Sequence, residues 1–229
     1  MKKYYDLAVN QQDKTADIYI YGDITSVPVE DNDVSAYSLV QDINGLKDVD
    51  IINVYINSYG GEVGEGLAIY NALKRHPAKV CTYCDGFAAS IASVIFCAGD
   101  ERYMYPASFL MIHNVWISTA GNADELRKDA DNLDKLSEGA VGVYLTVLKN
   151  ATEKKLRDML AAETWLTPQE ALQYGFATQV LQQERTQDKA AANVRQNLYN
   201  LMLSSRKQTV SKNINADHMR KFFEVITKM

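Results

Sequence analysis

Three groups of residues in this 229-residue chain have types and spacing that could do chemistry: a serine among small residues, a histidine closing an apolar run, and a pair of adjacent glycines. Ser90 follows Gly86-Phe87-Ala88-Ala89 and precedes the apolar run Ile91 to Ala98. A serine between a strand and a helix N-terminus sits where backbone N–H groups and the helix dipole stabilise a developing oxyanion. Gly86, Ala88, Ala89 and Ala92 are small enough to let a polypeptide carbonyl approach closely. By itself, such a turn more often serves packing or helix capping.

A histidine is the side chain best suited to take a serine proton near neutral pH, and the chain has three. His76 precedes a proline at a helix end and His218 lies in a polar tail, so both are expected on the surface. His113 directly follows Phe109-Leu110-Met111-Ile112, at an edge where a sheet can present it to a cleft. Taken alone, a hydrogen-bonded structural role for it is as common as a catalytic one. Gly60-Gly61 ends a strand, where open α/β sheets place their ligand sites. With neither a Gly-Lys-Ser/Thr nor a G-x-G-x-x-G spacing nearby, backbone donors for an oxyanion fit this pair better than a phosphate cradle.

The elements that must hold these groups follow from hydrophobic periodicity. Ala16 to Gly22 reads as a strand, Tyr37 to Leu46 as a short helix, and the β-branched run Asp50 to Ile56 as a buried strand ending in Asn57-Ser58-Tyr59-Gly60-Gly61. Val63, Leu67 and Tyr70 recur at helical spacing up to His76-Pro77, where proline stops the helix, and Val80 to Cys84 supplies the next strand. The pattern then repeats with Asp85 to Ser90 as a turn, Ile91 to Ala98 as a helix and Phe109 to Ile112 as a strand. Two successive βαβ units define an α/β core with parallel strands.

From Asn122 to about Lys149, Leu126, Leu133, Leu136, Ala140, Tyr144 and Val147 mark a helix near 28 residues long, with Asn122 and Glu125 as a capping box. At ~1.5 Å per residue it would span roughly 40 Å and project from a small body. Thr167-Pro168-Gln169-Glu170 gives N-cap, N1 proline and N3 glutamate for a short helix that Gly175 closes, and Phe176 to Leu181 returns to strand.

The apolar fraction of 47% supports one sizeable core, and no run reaches the roughly 20 apolar residues of a membrane span. The start, Met1 to Asp6, lacks the apolar core of a secretory signal, so a cytoplasmic protein is expected. Cys81, Cys84 and Cys97 cannot all pair. The C-x-x-C of the first two lies on a strand, where positions three apart face opposite ways, so buried thiols are expected rather than a zinc or redox site. The net charge of −5 is uneven: from Gln182 onward nine Lys or Arg stand against four Asp or Glu, against 15 and 25 before it. The chain is therefore divided into residues 1–181, the α/β domain, and 182–229, a basic extension with amphipathic segments around Val194 to Leu201 and Met219 to Ile226.

Together, Ile56-Asn57-Ser58-Tyr59-Gly60-Gly61, Gly86-Phe87-Ala88-Ala89-Ser90-Ile91 and Met111-Ile112-His113-Asn114 resemble, in order and spacing, the Clp protease proteolytic subunit family. The resemblance runs from about Ala16 to Leu181 and includes Trp165 to Ala171 and Tyr174-Gly175. It implies an α/β spiral of repeated βαβ units, shared with the crotonase superfamily, in which the long helix is a projecting handle that pairs subunits across stacked rings. It implies Ser90 as nucleophile, His113 as base and then acid, and the N–H groups of Gly61 and Ile91 as the oxyanion hole.

Glu163 stands where the family has an aspartate, and a glutamate can still orient an imidazole. It is the expected third member, with Asp158 in reserve. Tyr59 replaces the family's usual proline, and Glu62 stands where an apolar residue is common. With Glu163-Thr164-Trp165, these departures look most like the phage and prophage members that process capsid or scaffold proteins.

The function expected from this resemblance is serine endopeptidase activity on polypeptides by a homo-oligomeric ring, with no metal, nucleotide or other cofactor in the chemistry. Capsid or scaffold proteins, or an unfoldase, are the candidate partners; neither a membrane nor nucleic acid is expected. Two rivals remain open. A crotonase-like acyl-CoA enzyme shares the architecture but typically lacks the serine–histidine pair. A noncatalytic ring-forming assembly factor would use the basic extension to hold its partners.

Overall fold

Alternating apolar residues give Thr15–Ile20 and Ile51–Ser58 one face for the core, with Ala16, Ile18, Ile20, Ile52, Val54 and Ile56 all buried. The computed structural model describes residues 6–27 and 34–182. The basic extension, with His218 and its two amphipathic segments, lies outside the described residues. In chain order the elements are β1 (Asp6–Asn10), β2 (Thr15–Ile20), α1 (Ala36–Gly45), β3 (Ile51–Ser58), α2 (Val63–Arg75), β4 (Lys79–Ala89), α3 (Ile91–Phe96), β5 (Glu101–Met104), β6 (Phe109–Ile112), α4 (Ala123–Val147), α5 (Glu153–Ala161), β7 (Thr164–Leu166), α6 (Pro168–Tyr174) and β8 (Gln179–Val180).

Strands β2, β3, β4 and β5 pair in parallel, so β2-α1-β3, β3-α2-β4 and β4-α3-β5 are successive βαβ units, the repeated unit expected from the sequence. The main sheet runs β1-β2-β3-β4-β5-β8. Strand β4 forks: Cys81 to Cys84 pair with β5, while Phe87 to Ala89 pair with β6. The segment Asp85 to Ala89, expected as a turn, is therefore the continuation of a strand.

A bulge in the neighbouring strand accompanies the fork. The register of β3 against β4 slips between Ile56 and Ser58, and the side chain of the intervening Asn57 turns across the gap, where its Oδ1 accepts the Phe87 N–H at 3.2 Å. A Cβ on Gly86 would lie 2.5 Å from that oxygen, so a larger residue would have to displace the Asn57 side chain.

The three cysteines are buried and free, and burial raises all their thiol pKa values, those of Cys84 and Cys97 to about 12. Among the described residues no cluster of side chains could hold a metal ion, and no helix is long and apolar enough to cross a membrane. On the face of the sheet away from the Ala16–Ile52 side, Tyr19, Tyr55, Tyr83 and Tyr103 stand in register and stack at 4.9, 4.7 and 4.9 Å between ring centroids.

Both expected capping boxes form, Asn122 with Glu125 and Thr167 with Glu170, and Gly175 ends α6 in the left-handed conformation. The long helix spans 25 residues, and its buried residues are Ala140, Val141, Val143, Tyr144 and Val147, all in its last third. Its first 17 residues therefore leave the core, a length of roughly 25 Å at ~1.5 Å per residue.

Candidate active site

Ser90 is the N-cap of α3 and has φ 54° and ψ −128°, a left-handed conformation that a serine adopts only when its surroundings hold it there. Strand β6 supplies a restraint: the Ser90 N–H donates to Met111 O at 3.0 Å, tying the serine to the strand that ends just before His113. In β6, Leu110 and Ile112 point into the core, so Met111 and His113 face the other way by strand alternation. The outcome is direct contact: His113 Nε2 lies 2.7 Å from Ser90 Oγ.

Burial holds the His113 imidazole below the ordinary 6.5, and the charge of Glu163 opposes that shift. A neutral imidazole is the form that accepts a proton. Glu163 reaches this position through the antiparallel β6–β7 ladder. Leu110 pairs with Leu166, Met111 with Trp165 and Ile112 with Thr164, and His113 and Glu163 are the residues that adjoin the end of this ladder on the two chains. Its backbone has φ 49°, its side chain is exposed, and no hydrogen bond joins it to His113 among the described residues. Asp158, the reserve candidate, instead pairs with Lys154 at 2.7 Å along α5.

The glycine pair closes the other side. Ser58 is buried and donates to Gly22 O at 2.6 Å while accepting the Gly60 N–H at 3.0 Å, which anchors the turn. Ile24 N donates to Gly60 O at 2.8 Å and Glu62 N to Ile24 O at 2.7 Å, so the Gly61 peptide N–H is turned away from Ile24. At Gly60, with φ 104°, a Cβ would sit 2.7 Å from Ser90 Cβ and 3.1 Å from the Ile91 nitrogen; the loop lies directly on the Ser90–Ile91 peptide. Neither the Gly61 nor the Ile91 N–H has an acceptor among the described residues. Two donors without an acceptor among the described residues thus lie beside Ser90 at a helix N-terminus.

A small cavity of about 40 Å³ lies over the pair, lined by Gly61, Val63, Ser90, Ile91, His113 and Tyr144 among others. It adjoins a groove of about 630 Å³ walled by Tyr59, Gly61, Val63, Trp116, Ile117 and Leu136. Glu62, at the groove's edge, is held by Ser26 N, Ser26 Oγ and Thr25 Oγ1 at 2.9 to 3.0 Å, and these bonds keep its carboxyl below the usual carboxylate range. Tyr59 stacks on Phe87. His76 takes a capping role at the end of α2, with Nδ1 accepting the Ala78 N–H and Nε2 near Leu46 O. Two polar residues near the site carry no signal in the sequence pattern: Ser93 and Tyr144 are hydrogen-bonded beneath Ser90, and both read simply as helix-core positions.

Fold and site together define an α/β protein of repeated βαβ units in which a serine–histidine pair meets at the N-terminus of a short helix. The chain belongs to the Clp protease family, whose model matches residues 8–184. It is similar to the ATP-dependent Clp protease proteolytic subunit of Deinococcus radiodurans, 40% identical over 136 residues that cover 58% of this chain and 66% of the relative. The subunits of the same name from Bacteroides fragilis (strain ATCC 25285) and Bacteroides thetaiotaomicron are each 35% identical over 132 residues, 57% of this chain and 63% and 60% of those relatives. The matched segment thus spans a little under two thirds of each of these relatives.

Proposed function

We propose that this chain is a serine endopeptidase acting through Ser90, His113 and Glu163. The observation that carries this is the 2.7 Å contact between Ser90 Oγ and His113 Nε2 beside two backbone donors that have no acceptor among the described residues. Ser90 Oγ attacks the scissile carbonyl carbon as its proton passes to His113 Nε2. The oxyanion accepts from the Gly61 and Ile91 N–H groups. Collapse breaks the C–N bond, His113 gives its proton to the leaving amine, and an acyl-Ser90 ester remains. A water then attacks the ester as its proton goes to His113, and collapse breaks the C–Oγ bond while His113 returns that proton to Ser90 Oγ, releasing the acid. Glu163 favours the imidazolium through its charge. Every step uses the chain's own residues.

Substrate entry along the groove of Tyr59, Trp116 and Ile117 suits an extended polypeptide with apolar side chains. A homo-oligomeric ring is supported by the stretch of α4 that leaves the core, with Leu126 and Leu136 exposed, and by the exposed aromatic cluster of Tyr59, Phe109 and Trp165 around Phe87. The names of the relatives, subunits of an ATP-dependent protease, agree with such an assembly and with an unfoldase partner. The resemblance of Tyr59, Glu62 and the Glu163-Thr164-Trp165 segment to the phage and prophage members is the ground for proposing capsid or scaffold proteins as substrates.

Wild-type protein should label with a fluorophosphonate at Ser90 and cleave a panel of unfolded, capsid and scaffold proteins, and Ser90→Ala should lose both. Undiminished cleavage by Ser90→Ala refutes the assignment, and indifference to capsid and scaffold proteins refutes the narrower substrate.

A further inference from the structure

The peptide between Ser90 and Ile91 carries two groups that point opposite ways in a trans unit, the Ser90 carbonyl and the Ile91 N–H. Whatever grips the carbonyl therefore aims the N–H. The Ser90 carbonyl accepts twice from Ser93, from its N–H at 3.0 Å and from its Oγ at 2.5 Å. Ser93 Oγ also lies 2.7 Å from Tyr144 Oη. A serine hydroxyl has one proton and a carbonyl can only accept, so Ser93 must donate to Ser90 O and must accept from Tyr144. The direction of the chain is fixed: Tyr144 O–H to Ser93 Oγ, Ser93 O–H to Ser90 O.

Both residues are buried, with Ser93 0% and Tyr144 1% exposed. The Tyr144 ring is held edge-on to Phe176 at 5.8 Å, and burial keeps its phenol protonated well above the usual range. The left-handed backbone of Ser90 gives this peptide a reason to rotate if released. A hydrogen bond on a carbonyl also polarises the amide and strengthens the N–H of the same unit as a donor.

We propose that Tyr144 and Ser93 form a buried hydroxyl relay that fixes and polarises the Ser90–Ile91 peptide, holding the Ile91 N–H on the oxyanion. They are positioning residues for peptide hydrolysis, and the inference rests on the serine peptidase assignment above. Because the relay begins on α4, it links the base of the long helix to the nucleophile.

The test compares wild type, Ser93→Ala, Tyr144→Phe and Ser93→Thr on a fluorogenic peptidyl aminomethylcoumarin and on a peptide boronate, whose tetrahedral adduct places an oxygen where the oxyanion forms. Thermal melts identify folded variants. Tyr144→Phe keeps the ring in its pocket, so it carries the test if Ser93→Ala does not fold. The expected result is a kcat lower by about tenfold in Ser93→Ala and by less in Tyr144→Phe, short of the 10²–10³ for deleting a donor outright. Boronate affinity should fall in parallel, with KM within about twofold and the acid limb of the pH profile unmoved. The double variant should be no worse in kcat than Ser93→Ala, and Ser93→Thr should recover most of the loss. Folded variants with wild-type boronate affinity, or with KM raised and kcat unchanged, overturn the relay alone. A wild type that neither labels at Ser90 nor binds the boronate overturns the peptidase assignment and the relay with it.

Discussion

Gly61→Ala should cripple turnover while lowering stability by a measurable but survivable amount. Gly61 has φ 143°, and a Cβ built there lies 2.0 Å from Ile24 O, a backbone atom fixed by the bonds from Ile24 N to Gly60 O and from Glu62 N to Ile24 O. Ordinary contact begins near 3.4 Å, so the two chains must part by roughly 1.4 Å. A shift of ~1 Å in a group that positions a reaction costs about 10²-fold, and losing an oxyanion donor outright costs about 10²–10³-fold. The expected fall in kcat is therefore at least about 10²-fold.

The two backbone bonds contribute about 0.5–1.5 kcal/mol each, and residual strain at the substituted position adds about 1–3 kcal/mol. The loss is thus about 2–6 kcal/mol, which at about 2–4 °C per kcal/mol lowers Tm by roughly 4–24 °C. Peptide hydrolysis under saturating substrate, fluorophosphonate labelling rate and a thermal melt read these separately. A folded Gly61→Ala enzyme that labels and turns over within threefold of wild type would refute Gly61 as a donor.

Two further outcomes follow from the same geometry. Glu163→Gln removes the charge that raises the His113 pKa against its burial, so the pKa falls further; because the base must be neutral, activity appears above that pKa, and the acid limb of kcat/KM should move to lower pH. An unmoved limb would exclude Glu163 from the site. Native mass measurement should find assemblies several times the 25.7 kDa of one chain, and a monomer at micromolar concentration would end the ring assignment.

Much of the scaffold was legible because its signals are local. The strands at Thr15–Ile20, Ile51–Ser58 and Phe109–Ile112 and the helices at Ala36–Gly45, Val63–Arg75, Ala123–Val147 and Pro168–Tyr174 show in period and in caps. Strand β5 did not, because Glu101-Arg102-Tyr103-Met104 has little apolar pattern. Arg102 is nonetheless buried, its guanidinium donating to the carbonyls of Phe176, Gly99 and Gly175 at 2.7, 2.7 and 3.1 Å, the first and last of them distant in the chain. Asp85 to Ala89 read as a turn because its small residues are strand-poor. Its pairing with β6 and the Asn57 bulge, both tertiary, make it strand.

The sequence by itself determined which residues are chemically able: a serine at a strand-to-helix junction, a histidine closing an apolar strand, and a glycine pair at a strand end. These are matters of residue type and local backbone, and both are written in the order of the chain. Only the tertiary structure decided that Ser90 and His113 touch across 23 residues, that Glu163 lies close enough for its charge to act on the imidazole, and that Tyr144 reaches Ser90 through Ser93. Those contacts depend on register and packing between elements distant in sequence, and no periodicity within a single element encodes where its neighbour will lie.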